Sequence, residues 1–187
     1  MLPKRPLACL ALLLGLGVDR LASAQNIIKH PGDHPRYSFE AEPHLSLAPF
    51  HEGGIGPGFR GTFVVLDNGF VKSINNSIGI GVGLDWIFYG QHCEGGMPMQ
   101  RCENQTDVMI PIVMQWNFWL HPKWSVFGEP GFAMHLRTHM GDDFVFDYFT
   151  IYGGGRFHFN DSIALTLRLG APIIHDNVIT IGVSFLL

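Results

Sequence analysis

Apolar side chains recur at every second position through most of the chain after residue 37. In residues 77–86, SIGIGVGLDW, the even positions are Ile, Val, Leu or Trp and the odd positions are Ser, Gly or Asp. This period of two is that of a β-strand with one apolar face and one small or polar face, and no helical period appears. The alternation predicts eight strands, over residues 37–50, 55–66, 76–89, 107–120, 124–139, 144–159, 162–170 and 178–187.

The predicted strands are long, and their connections alternate in length. Soluble strands average about 5–6 residues, whereas a tilted membrane strand needs about 9–11. Turns 121–124 and 159–162 are short, but the opposite side carries longer polar loops, including residues 90–106. This layout predicts an all-β fold, an eight-stranded antiparallel transmembrane barrel with up-and-down meander order. Because a barrel has no free edge, we expect bulges at Pro111 and Pro130.

Charged residues fall on the strand faces opposite the apolar stripes. These strand positions hold acids and arginines in equal number and no lysine, the usual solvated residue of exposed strands. Eight strands leave an interior that side chains can fill, so we expect a closed polar lumen. An alternative is a soluble lipocalin-like carrier, whose apolar stripes would face inward. The predicted lumen ion-pair network consists of Glu40, Glu42, Arg60, Asp85, Glu129, Arg137, Arg156 and Arg168.

The first 36 residues do not share the strand pattern. Residues 1–24 have a basic start at Lys4 and Arg5, a short apolar run and small residues at a cleavage site, which predicts a secretory signal peptide. Residues 25–36 are broken by prolines and are expected to be a flexible periplasmic tail. The barrel domain would then occupy residues 37–187. The net charge of −4 gives no sign of nucleic-acid binding.

Two cysteines, Cys93 and Cys102, lie within the longest predicted loop. In an exported protein such a pair predicts a disulfide. Closing so small a ring would contribute about 2–3 kcal/mol. Two thiols are too few for a structural zinc site, which uses four ligands.

The last predicted strand carries a pattern of its own at Thr180, Gly182, Phe185 and Leu187. It resembles the assembly signal of small bacterial outer-membrane β-barrel proteins of the OmpA/OmpX-like type, although the usual terminal residue there is phenylalanine. The resemblance covers residues 37–187 as a pattern of strands. It implies a location in the bacterial outer membrane, with outer-membrane lipid and the barrel assembly machinery as partners.

Residues of catalytic type are few and lie on the polar face. His44 and Ser46, near Glu42, are similar to the His-x-Ser spacing of outer-membrane lipid A deacylases, which makes a lipid-modifying enzyme the alternative function. The strand phase places these side chains in the lumen, away from lipid, so no catalytic residue, enzyme activity or cofactor is expected. The predicted role is structural, or one of surface interaction through the loops.

Histidine and acid also occur together in the long loops, where both types are able to bind a divalent ion. We expect these groups to be solvated loop residues and predict no metal site. They are His51 with Glu52, His92 with Glu94, His139 with Asp142 and Asp143, and His175 with Asp176.

Overall fold

The chain forms a closed antiparallel barrel of eight strands in meander order. The computed structural model describes residues 26–49, 53–94, 101–138, 142–172 and 178–187, so the predicted signal peptide lies outside the described residues. Each strand pairs with the next, and β1 pairs with β8 to close the sheet, which confirms the predicted fold class. The strands are β1 Phe39–Ala48, β2 Gly54–Leu66, β3 Asn76–Glu94, β4 Arg101–His121, β5 Trp124–Thr138, β6 Asp142–His158, β7 Ile163–Pro172 and β8 Val178–Leu186. None of the described residues forms a helix long and apolar enough to cross a membrane.

Strands β3 and β4 extend further than their apolar alternation indicated. The alternation predicted that β3 ends at residue 89 and that β4 begins at residue 107. The structure continues their pairing to Glu94 and Arg101, after a register shift between Phe88 and Gln91. Backbone N–H and C=O groups can pair regardless of the side chains they carry, so the hairpin extends beyond the apolar pattern. The loop is therefore shorter than the predicted residues 90–106.

The two prolines of the central strands behave differently. Pro111 pairs with Ala133 of β5 in an unbroken register, so the bulge expected there was wrong. A missing N–H removes one ladder bond but does not by itself require an extra residue. At Pro130 the pairing with β6 continues for one residue and then shifts between Gly131 and Ala133.

The barrel is inverted relative to a soluble protein, as β7 illustrates. Over residues 164–169 its outward side chains are leucines that are exposed on the isolated chain, whereas its inward side chains are small or polar and fully buried. The outward ones are Leu165, Leu167 and Leu169, and the inward ones are Ala164, Thr166 and Arg168. An apolar outer wall around a polar interior is the pattern of a barrel in lipid, not of a lipocalin-like carrier.

The segment before β1 lies across the short-turn end of the barrel. The Ile27 amide donates to the Leu120 carbonyl at 3.2 Å, and the Asn75 amide donates to the Ile28 carbonyl at 2.7 Å. The Asn75 side chain also donates to the Asp33 carbonyl at 2.9 Å. These contacts give residues 26–37 a defined position, where the sequence led us to expect a flexible tail; the flexibility itself stays a prediction.

Candidate functional site

The interior of the barrel is crossed by a network of six buried charges. Arg168 donates to both carboxylate oxygens of Glu42, at 2.5 and 2.9 Å, and to Glu129 at 2.9 Å. Arg60 pairs with Glu129 at 2.9 Å, and Arg156 pairs with Glu40 at 2.8 Å. We call this set, Glu40, Glu42, Arg60, Glu129, Arg156 and Arg168, the central network; three carboxylates balance three guanidinium groups.

The alternation of the strands brings these charges together. Each lies at an inward position of its strand and is buried, and the six come from β1, β2, β5, β6 and β7. The ion pairs therefore join strands on different sides of the barrel. A charge buried without a partner is costly, so each of these groups depends on the others, and the bidentate pairing of Arg168 with Glu42 fixes both in orientation.

Neutral polar side chains complete the network. The Gln115 amide donates to Glu129 at 2.8 Å, the Ser184 hydroxyl donates to Glu40 at 2.8 Å, and Arg156 donates to the Asn117 carbonyl oxygen at 2.6 Å. The Arg156 guanidinium also lies 4.3 Å from the centre of the Phe127 ring. These neutral residues were not among the predicted members of the network, although their parity along the strands places them on the inward face.

Asp85, predicted to belong to the ion-pair network, has different partners. His44 donates from Nε2 to Asp85 Oδ1 at 2.7 Å, and the Ser46 hydroxyl donates to the same oxygen at 2.5 Å. A nucleophilic serine would instead direct its proton to the histidine. Because both groups donate to Asp85 and Ser46 is fully buried, the three side chains form a buried hydrogen-bonded cluster and not a nucleophile–base pair.

Arg137, the last predicted member of the network, lies nearer the long-loop end. It donates from Nε to Asp107 at 3.3 Å, and His135 Nδ1 is 3.1 Å from the same carboxylate. Asp107 was missed because it stands at the start of the predicted β4. Its parity is the same as that of the inward residue Met109, which was the available signal.

Aromatic rings close the short-turn end of the lumen. The fully buried Trp119 indole stacks on the His34 ring, with centroids 5.1 Å apart and an interplanar angle of 8°, and contacts His158 at 4.9 Å on centroids. Tyr37 meets the same indole edge-on. Burial, and after it the charge of Glu40, raise the pKa of Tyr37, so its phenol stays neutral. The N-terminal segment thus supplies two rings of this closure.

The long-loop end of the lumen has an apolar layer. Ala48, Ile87, Tyr89 and Val178 form a buried cluster there. From one end to the other, the interior holds an aromatic layer, the central network, the Asp85 cluster and this apolar layer. Side chains thus occupy the lumen along the strands, as eight-stranded barrels allow.

The remaining predicted sites lie in the β3–β4 hairpin and at the last strand. Cys93 and Cys102 are directly opposite each other in the β3–β4 register, and the disulfide stays a prediction. In the predicted assembly signal Thr180 is buried in the lumen, whereas Phe185 and Leu187 are exposed. Gly182 faces inward at the β1–β8 seam.

The predicted absence of a metal site also stays a prediction. Among the described residues, no group of three or more His, Cys, Asp or Glu side chains could hold a metal ion. Several members of the loop pairs named above lie outside the described residues, namely His51, Glu52, His139, His175 and Asp176.

The fold and the filled interior define a class, the small eight-stranded barrel with an apolar exterior. No protein-family model matches the sequence, and neither does any curated protein. Several solved structures do match the fold of this chain. The chain is similar to the outer membrane protein OprG from Pseudomonas aeruginosa, with a TM-score of 0.57, 9% identity and coverage of 83% of this chain and 98% of that one.

Two further structures show the same fold. Neisserial surface protein A matches with a TM-score of 0.50, 10% identity and coverage of 80% of this chain and 96% of that one. The Yersinia pestis outer membrane protein Ail, in a phospholipid bilayer nanodisc, matches with a TM-score of 0.50, 7% identity and coverage of 81% and 100%. At such identities the likeness concerns the fold alone.

Proposed function

We propose that this protein is a non-conducting β-barrel of a bacterial outer membrane, with a structural or surface-interaction role. The observation that carries the proposal is the contact of Arg168 with both Glu42 and Glu129, which places an ion-pair network across the lumen. The apolar outer wall supports a location in lipid. OprG and Ail are both described as outer membrane proteins, which favours the same membrane here.

In this proposal the short-turn end faces the periplasm and the longer loops face outward, the usual layout of such barrels. The partners are outer-membrane lipid along the wall and the barrel assembly machinery during insertion. Binding to other surfaces would depend on the loops, since the interior is occupied by the layers described above.

Single-channel recording in planar bilayers tests the closed lumen. We expect the mature chain, once its insertion is shown by heat-modifiable gel mobility, to give no sustained current. The E42Q/R168M variant removes one carboxylate–guanidinium pair of the network. A current through this variant, together with none through the unmodified protein, would identify the network as the barrier to ions. A steady, ohmic pore in the unmodified protein would overturn the proposal.

The lipid-modifying alternative receives no support from the geometry of His44 and Ser46. Both side chains are turned into the lumen, and both donate to Asp85. We therefore expect lipid A from cells producing the protein to keep its mass profile, with or without Ser46→Ala. A loss of one acyl chain that depends on Ser46 would establish the enzyme instead.

A further inference from the structure

Among the lumen side chains that the structure describes, the acids outnumber the arginines by one. The acids are Glu40, Glu42, Asp85, Asp107 and Glu129, and the arginines are Arg60, Arg137, Arg156 and Arg168. All of these acids except Asp85 contact an arginine at 3.3 Å or less. His44 is the one ionisable side chain among the described hydrogen-bond partners of Asp85. Because an uncompensated buried charge is costly, either Asp85 is neutral or His44 is charged.

Both ring nitrogens of His44 face oxygen atoms that accept hydrogen bonds. Its Nε2 is 2.7 Å from Asp85 Oδ1. Its Nδ1 is 3.2 Å from the Glu42 backbone carbonyl oxygen and 3.6 Å from Oε1 of the same residue. A neutral imidazole carries one hydrogen, so the lone pair of its other nitrogen would be directed at an oxygen, whereas the imidazolium ion carries a hydrogen on both nitrogens. The hydrogen-bond geometry therefore matches the charged ring.

Asp85 has the contacts of a carboxylate and not those of a carboxylic acid. Its Oδ1 accepts hydrogen bonds from both His44 and Ser46, which suits an ionised group that only accepts. A neutral acid would need an acceptor for its own O–H group. Its other oxygen, Oδ2, is buried and has no hydrogen-bond partner among the described residues. The proton of the pair is therefore placed on the imidazole.

The strand register positions the two side chains for this contact. His44 is opposite Gly58 in the β1–β2 ladder, and Gly58 is opposite Asp85 in the β2–β3 ladder. A Cβ on Gly58 would collide with His44 Nε2, so the imidazole can cross β2 to Asp85 only because this residue has no side chain. The imidazole and the carboxylate are both buried.

The other charged groups around the pair have partners of their own. Glu42 faces the ring from β1, Arg60 on β2 acts electrostatically on Asp85, and β8 presents Gly182 opposite His44. Arg60 forms its ion pair with Glu129, and the nearby Arg168 forms its own with Glu42 and Glu129. Neither arginine replaces the imidazolium as the ion-pair partner of Asp85.

We propose that His44 is an imidazolium ion and that it forms with Asp85 a pH-sensitive ion pair of the lumen. The other described lumen acids rely on guanidinium groups, which keep their proton in proteins, whereas histidine changes charge within the physiological range of pH. Loss of the ring's proton leaves Asp85 uncompensated and turns a lone pair toward an oxygen, so the interior is weakened as the pH rises. The protonation rests on hydrogen-bond geometry, and its bearing on lumen closure rests on the function proposed above.

Nitrogen NMR of the mature chain in nanodiscs, with isotope-labelled histidine assigned through the backbone, measures the protonation directly. We expect both ring nitrogens of His44 to resonate as protonated nitrogens at neutral pH. His158 is the internal control, because it is also buried but needs only one hydrogen. Its Nε2 is 2.9 Å from the Ser125 hydroxyl, and its Nδ1 has no hydrogen-bond partner among the described residues. We expect one protonated and one bare nitrogen there.

Urea unfolding in lipid vesicles at several pH values tests the consequence. An unfolded histidine loses its proton around pH 6.5. Above that pH, while the folded ring still holds its proton, the equilibrium constant for unfolding should rise by about tenfold per pH unit. His44→Lys keeps a cation that does not depend on imidazole and should lose this rise. His30→Gln, at an exposed histidine of the N-terminal segment, is the control and should retain it.

The outcomes separate this inference from the proposed function. A bare ring nitrogen on His44 at neutral pH, or a carboxyl carbon resonance of Asp85 typical of the neutral acid, would overturn the ion pair, and neither reading needs a variant. An alkaline loss of stability as large in H44K as in the unmodified protein would also overturn it. A steady pore in the unmodified protein would instead overturn the proposed function and leave a charged His44 in place.

Discussion

Arg168 and Glu42 form a two-bond ion pair inside the lumen although their strands are not neighbours in the sheet. Arg168 Nη1 to Glu42 Oε1 is 2.5 Å and Nη2 to Oε2 is 2.9 Å, while β8 lies between β7 and β1 in the sheet. The same guanidinium reaches Glu129 on β5. One side chain thus links β7 to β1 and to β5, neither of which is paired with β7 in the sheet.

Arg168→Met tests the energetic contribution of this contact. Removing Arg168 leaves Glu42 without its arginine partner and leaves Glu129 with Arg60 alone, so the free energy of unfolding should fall by about 3–5 kcal/mol. Urea unfolding in detergent or lipid vesicles measures it. Leu167→Met, one residue away on the outer wall, is the matched control and should change little. Equal stabilities for the two variants would show that the pair is not important for folding.

The closure at the short-turn end depends on Asn75. Its side chain lies 2.6 Å from His34 Nδ1 and donates to the Asp33 carbonyl. Asn75→Ala should cost about 1–3 kcal/mol locally and accelerate amide hydrogen exchange in residues 26–37. Ser73→Ala, exposed in the same turn, serves as the control. Unchanged exchange in N75A would contradict the role of Asn75 in holding this segment.

The seam of the barrel should accept no side chain at Gly182. A Cβ there would lie 2.7 Å from His44 Cβ and 2.9 Å from the Pro43 carbonyl oxygen, whereas a Cβ at Gly128 meets nothing within 4 Å. Gly182→Ala should therefore destabilise the barrel by about 1–3 kcal/mol, and Gly128→Ala should not. Unfolding midpoints of the two variants decide this. A tolerant Gly182 would indicate a looser seam.

The predicted disulfide can be checked by mass. Cys93 and Cys102 are opposite in register, as a bond between neighbouring strands requires. Alkylation without reductant should modify neither thiol in protein purified from the cell envelope, and reduction should expose both. Two reactive thiols before reduction would contradict the prediction. Loss of the bond should lower stability by about 2–3 kcal/mol.

Period-two alternation predicted the strands well because each residue's face depends only on its parity. It placed Arg168 and Glu42 in the lumen, but not in contact, since their meeting depends on the stagger between strands closed into a barrel. Asp85 was assigned to arginine, yet its partners His44 and Ser46 were closer across β2. The packing of His34 on Trp119 had no periodic signal at all, because the segment before β1 is neither strand nor helix.

The central claim is that the outer wall faces hydrocarbon while the lumen holds paired charges. Spin labels at Leu165, Leu167 and Leu169, compared with one at Lys123 on the short-turn rim, test it by collision with oxygen and with a water-soluble nickel complex in reconstituted membranes. The account predicts high oxygen and low nickel accessibility at all three leucine positions and the reverse at Lys123. Nickel accessibility at the leucine positions equal to that at Lys123, or protection there from both reagents, would contradict it.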